Sequence, residues 1–212
     1  MALEKAGLEL IAASGFEGGG HRGSFLRPAG DSLIGSVSLI PQVVDAVRVP
    51  VIAAGGIADA RGIAAAFALG AEGVQIGTAF LPCAGSGATK TYAAALLSEA
   101  AKRTCLTDAF TGRLARGIRN RLMEELRDRN SSPLPFPLQH TVTQTLAGPA
   151  AQQGKTELMT LWAGQSASLC RCTDATELMT QLIAGTDAYF QRGVSARARP
   201  GELLFQNPAK LA

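Results

Sequence analysis

A chain of 212 residues with 47% hydrophobic and 17% charged residues can bury a substantial core, so it reads as a globular protein of one large or two small domains. Twenty basic against seventeen acidic side chains leave a formal net charge of +3, too small and too dispersed to mark a nucleic-acid partner. Twenty-four glycines without a repeating period exclude a collagen-like chain and call for many sharp turns or close backbone approaches.

The first five residues lack a basic segment followed by an apolar stretch, so no secretory signal is expected. Residues 8–13 form an apolar run that ends in a glycine cluster, the pattern of a buried strand delivered into a loop. Ile40, Val43, Val44 and Val47 repeat at helical spacing, with Ser38 ahead of them and Pro41 in a tolerated first-turn position. Residues 51–54 are the next strand, running into Gly55-Gly56, after which Asp59 caps a helix that carries Ile63 and Phe67 and stops at Gly70. The unit repeats once more, with a strand at 74–76, the pair Gly77-Thr78, and an alanine-rich helix over 90–102. Glycine and proline interrupt the longest apolar stretch, so no membrane-spanning helix is expected.

Three strand–loop–helix units of this kind predict a parallel sheet with right-handed crossovers, the α/β class. Past Thr104 the pattern changes. Leu114, Ile118, Leu122 and Leu126 predict a helix, residues 131–137 a stiff proline linker, and residues 174–190 a further helix. The stretch 192–212 has no periodicity and is expected as a loose tail. The resulting division is 1–104, a helical appendage over 105–191, and the tail. Cys83, Cys105, Cys170 and Cys172 make no disulfide scaffold and no zinc spacing, which fits reduced thiols in a cytoplasmic protein without a metal.

Glycines at the carboxyl ends of parallel strands lie where α/β folds bind ligands, and their N–H groups can approach a phosphate that a Cβ would obstruct. Gly55-Gly56 ahead of a helix and Gly77-Thr78 in the next unit offer such groups on adjacent loops; the alternative is that they only shape tight turns. His21 follows three glycines at a strand end, where an imidazole can stand over a ligand and exchange a proton at neutral pH. A solvated loop histidine is the alternative. His140 lies in the proline linker and reads as structural or exposed. Glu17 is either an acid partner or a cap on a loop N–H. The arginines from Arg113 to Arg129 are interrupted by Glu124, Glu125 and Asp128, the pattern of a solvated, ion-paired face.

Three segments, Gly15-Phe-Glu-Gly-Gly-Gly-His-Arg-Gly23, Pro50-Val-Ile-Ala-Ala-Gly-Gly-Ile-Ala-Asp59 and Leu69-Gly-Ala-Glu-Gly-Val-Gln-Ile-Gly-Thr-Ala-Phe80, resemble the FMN-binding nitronate monooxygenases in order and spacing. Thr111-Gly-Arg-Leu-Ala-Arg-Gly-Ile-Arg-Asn120 and Trp162-Ala-Gly-Gln165 extend the resemblance over roughly residues 5–190. The resemblance implies that His21 is the catalytic base beside the flavin. It also implies that Gly19, Gly20, Gly55, Gly56, Gln75, Gly77 and Thr78 line the FMN, the later pairs gripping its phosphate. The implied reaction oxidises nitronates or nitroalkanes with molecular oxygen through the flavin, without a metal. Gly18 departs from the alanine usual in the family, and Ser14 stands where glutamine is common.

A (β/α)8 barrel takes about 250 residues, and the three units resemble its sixth to eighth, so the implied fold is the last part of a partial barrel with a carboxyl-terminal helical appendage. Self-association through the open barrel edge is then expected, because an uncovered parallel edge invites pairing. The FMN-dependent enoyl-acyl carrier protein reductases share the histidine loop and both phosphate motifs, while Arg22 and the Arg-Gly-Ile-Arg-Asn stretch speak against them. A catalytically dead remnant, or an interaction module, is the reading from another class.

Overall fold

The computed structural model describes residues 2–127 and 132–197. A one-turn helix α1 (Ala2–Lys5) leads to strand β1 (Ile11–Ser14), the short strand β2 (Gly20–His21), helix α2 (Ser36–Ala46), strand β3 (Val51–Ala54), helix α3 (Ala60–Ala68) and strand β4 (Gly73–Gln75). Helix α4 (Lys90–Leu96), strands β5 (Thr104–Thr107) and β6 (Ala115–Ile118), and helices α5 (Arg121–Arg127), α6 (Leu138–Gln152) and α7 (Ala175–Arg197) follow. The class is α/β, with two three-stranded sheets of opposite character.

The first sheet is parallel, in the order β1-β3-β4, with Ile11 opposite Val51 and Ile52 opposite Gly73. Its strands are the three expected from sequence, with the ends moved. β1 starts at Ile11 because Leu8 and Leu10 lie outside the core, and the third strand ends one residue before Ile76. Ala13, Ala53 and Ala66 keep the helices close to the sheet, and Ile40 is completely buried between them. α2 begins at Ser36, so Pro41 lies inside it instead of in its first turn. The reason is a cap remote in sequence: the Glu17 carboxylate accepts the Ser36 N–H at 2.8 Å. α3 starts as expected, with Asp59 accepting from the Arg61 and Gly62 N–H groups, and ends at Gly70 with φ +95°. The helix expected over 90–102 breaks after Leu96. There the Ser98 hydroxyl accepts the Ala100 N–H and starts a separate 3-10 turn over Glu99–Lys102.

A larger correction concerns the segment from Leu114 to Leu126. Ala115–Ile118 is a strand with all four residues buried, paired antiparallel to both β2 and β5. Helix α5 starts only after Asn120, whose side chain accepts the Met123 N–H at 3.2 Å. The four-residue spacing of the leucines and Ile118 therefore crosses a strand–helix boundary. Gly117 explains the strand, since a Cβ there would stand 2.7 Å from the Leu161 carbonyl, which accepts the Ile118 N–H at 2.8 Å. The second half is thus mixed, not purely helical. α7 continues past Phe190 to Arg197, so residues 192–197 are helical instead of a loose tail. Residues 198–212, and Ser131 of the proline linker, lie outside the described residues. α7 lies along α3, where a Cβ on Gly185 would stand 2.7 Å from that of Ala60. Among the described residues no helix is long and apolar enough to cross a membrane.

Candidate active site

The carboxyl ends of β1, β3 and β4 open into one cavity of about 370 Å³. Gly19 and Gly20 border it from the loop after β1, Gly55 and Gly56 from the loop after β3, and Gln75, Gly77 and Thr78 from the end of β4 and its turn. The seven binding residues expected from sequence are therefore brought to one space.

Gly55 and Gly56 hold φ of +85° and +75°, a region that glycine enters without the cost a Cβ imposes. A Cβ on Gly55 would also stand 2.9 Å from the Gly15 carbonyl. The Ser36 hydroxyl lies 3.0 Å from both the Gly55 carbonyl and the Glu17 carboxylate, which share its one proton, and the Gly56 carbonyl accepts the Ser166 hydroxyl at 2.5 Å. A carbonyl and the next N–H point opposite ways across one planar peptide. Ser36 does not border the cavity, and with the Gly55 carbonyl on its side the Gly56 N–H points away from Ser36. Beyond β4, no side chain caps the 3-10 turn Thr78–Phe80. Among the described residues the N–H groups of Gly56, Gly77 and Thr78 donate to no protein acceptor. A Cβ on Gly20 or Gly77 would meet nothing within 4 Å, so the cavity has free space at both. The Thr78 hydroxyl accepts the Gly164 N–H at 3.0 Å and keeps its own proton to donate. The α3 N-terminus does not contribute in the same way, because Asp59 already takes its N–H groups.

Two buried arginines shape the loop after β1. Arg22 donates to the carbonyls of Gly15 at 2.8 Å, Gly18 at 3.1 Å and Ser14 at 3.4 Å. Arg116 donates to the Phe16 carbonyl at 3.2 Å and lies over the Phe16 ring. Burial draws both guanidinium pKa values down and Glu17 opposes it. Arg116 is thus no part of a solvated face, whereas Arg119 and Arg121 do pair with Glu124 and Glu125 at the surface. Glu17 proves to be a cap: its carboxylate holds Ser36 and its carbonyl accepts the Gln165 N–H at 2.8 Å.

His21 stands at the end of β2, exposed, with Nε2 at 2.9 Å from the buried Thr111 hydroxyl. The rings of Phe136 and Trp162 flank it at 5.8 and 5.6 Å. Partial burial, and then the charges of Arg113 and His140, lower its pKa from the usual 6.5, which leaves a neutral, proton-accepting imidazole at pH 7. His21 does not itself border the cavity; Trp162 does, and so links the two. His140 is exposed as expected but lies in the first turn of α6, not in the linker. Thr111, Phe136 and Ser166 escaped the sequence reading, as did the contact role of Trp162. Cys170 contacts the Thr78 carbonyl from below, with its thiol pushed up to about 11 by burial, which marks it as packing and not as a nucleophile.

A family model described as nitronate monooxygenase matches residues 1–185. A probable nitronate monooxygenase of Staphylococcus aureus is 45% identical over 184 residues, 86% of this chain and 52% of that protein. The solved nitroalkane oxidase from Streptomyces ansochromogenes superposes with a TM-score of 0.84 at 40% identity, covering 90% of this chain and 55% of that one. FabK from Thermotoga maritima follows with a TM-score of 0.74 at 30% identity, covering 92% and 60%. The chain spans about half the length of the curated relatives it matches. With the glycine loops, the histidine strand and the segment around Trp162 all inside the matched residues, the chain belongs to the nitronate monooxygenase family.

Proposed function

We propose that this chain carries the FMN-binding and proton-transfer part of an enzyme that oxidises nitronates or nitroalkanes with molecular oxygen. One observation carries the reading: residues of two adjacent loops whose N–H groups have no protein acceptor among the described residues, with the Thr78 hydroxyl, border one cavity that has free space where side chains of Gly20 and Gly77 would stand. Among the described residues no cationic side chain borders that cavity, so a phosphate there would be held by backbone dipoles and the Thr78 hydroxyl. In this reading Gly55, Gly56, Gly77 and Thr78 hold the phosphate, and Gly19, Gly20 and Gln75 line the rest of the cofactor. Bound FMN would supply the two-electron chemistry between substrate and oxygen. His21, neutral at pH 7, would take the α-proton of a nitroalkane, with the rings of Phe136 and Trp162 packed at its sides. The parallel sheet would be the closing part of a (β/α)8 barrel.

The test is the absorbance spectrum and FMN titration of the purified protein, followed by turnover of a nitronate, the parent nitroalkane and an enoyl thioester. FMN binding with oxidation of the nitro compounds alone is expected. Flavin binding with enoyl reduction would replace the proposed activity, and failure to bind FMN would remove the cofactor reading.

A further inference from the structure

Thr111 is one of the few polar side chains buried among the described residues, and its hydroxyl has three neighbours. The Arg113 carbonyl lies at 3.1 Å, the Arg113 N–H at 3.3 Å and His21 Nε2 at 2.9 Å. A hydroxyl offers one proton and two lone pairs. The carbonyl can only accept and the N–H can only donate. All three contacts are satisfied together in one arrangement: the threonine proton goes to the Arg113 carbonyl, one lone pair takes the Arg113 N–H, and the other takes a proton carried by His21 Nε2. Were Nε2 bare, the threonine would have to turn its proton to the ring, and the part-buried turn from Thr111 to Arg113 would lose a hydrogen bond.

We infer that Thr111 is a positioning residue that fixes the neutral His21 ring as the Nε2–H tautomer, so that Nδ1 is the atom that accepts the substrate's proton. This rests on the reading of His21 as general base. Among the described residues Nδ1 makes no hydrogen bond, so its lone pair is available. The bond to Thr111 serves both states of the ring, because a protonated imidazole also donates from Nε2. The orientation then survives the proton transfer and needs no rotation between turnovers. Arg113 and His140 are the charged and titratable groups that act on the ring. Both disfavour its protonation, and neither supplies an acceptor for a proton on Nδ1.

The test reads the tautomer directly, by ring nitrogen chemical shifts in protein labelled with 15N-histidine, at a pH above the ring's pKa. There are two histidines, and His140→Gln assigns the signals. Free histidine is a mixture leaning to Nε2–H, so the expected result is a His21 ring protonated at Nε2 alone. Thr111→Val should return it to the free mixture, and Thr111→Ser should restore the single form. A free-like mixture or an Nδ1–H ring in the unmodified protein overturns the inference, and so does a Val variant that keeps the single tautomer. The unmodified protein decides even where the Val variant does not fold. Because the measurement needs neither flavin nor turnover, its outcome is separate from that of the base assignment, which the His21→Asn kinetics decide.

Discussion

The cavity at the ends of β1, β3 and β4 and the surroundings of His21 solve different problems with different material. The cavity is bordered by glycines of three loops among other residues, and what those loops offer is mainly main chain: N–H groups of Gly56, Gly77 and Thr78 without a protein acceptor among the described residues. His21 instead depends on side chains brought from afar, with Thr111 ninety positions away, then Phe136 and Trp162. Main-chain donors suit a ligand whose charge is constant, since they neither titrate nor move with rotamers. Side chains suit a group whose protonation must be tuned.

The sharpest way to break this division is His21→Asn. General-base removal should lower oxidation of a neutral nitroalkane by about two to four orders of magnitude. FMN affinity should stay unchanged, and a preformed nitronate, already deprotonated, should lose less. An equal loss on both substrates would replace proton abstraction by positioning or electrostatic stabilisation. Next in size, Gly77→Leu should raise the Kd for FMN on the order of a hundredfold, equivalent to about 2.7 kcal/mol. Gly77 has φ −106° and free space around its missing Cβ, so the fold should be spared; an unchanged titration would refute the phosphate site. Gly55→Ala is a poorer probe, since a Cβ there meets both backbone strain and the Gly15 carbonyl.

Arg22→Met tests the opposite side of the comparison, a side chain serving the main chain. Loss of its bonds to three loop carbonyls should cost about 2–4 kcal/mol in denaturant unfolding, whereas an unchanged midpoint would mean the loop holds itself. The smallest effect should come from Arg113→Gln. Nitroalkane kcat/KM should rise with pH and level off as His21 loses its proton below its usual 6.5. Removing the neighbouring positive charge raises the histidine pKa, so the rise should move to higher pH. A profile that stays in place would detach Arg113 from the titration.

The same contrast explains what could be read from the sequence. Asp59 and Gly70 bracket α3 because caps act within a few residues, and apolar runs ending in glycine located all three parallel strands. The strand Ala115–Ile118 was hidden, because one of its pairing partners, β2, comes from far away in the chain and the leucine spacing continues straight into α5. Misreading that strand also put Arg116 on a solvated face, although Gly117 beside it was the local signal of a close backbone approach. Glu17 could be narrowed to a cap or an acid, but its partner Ser36 lies nineteen residues on and only the folded chain chooses. Thr111 carries no local signal, since a threonine two residues before an arginine is ordinary until a histidine from β2 arrives beside it.

The Ser36 hydroxyl has a consequence for ligand selection. The peptide between Gly55 and Gly56 could in principle flip, exchanging the sides of its oxygen and its N–H, and glycine puts little barrier in the way. With the Gly55 oxygen facing the Ser36 hydroxyl, a flip gives up that contact, so this peptide keeps one polarity. A cation entering the cavity would find donors where it needs oxygens, and an anion would find them oriented before it arrives. The cost of that order is met during folding, and the association step is left with little beyond desolvation of the anion itself.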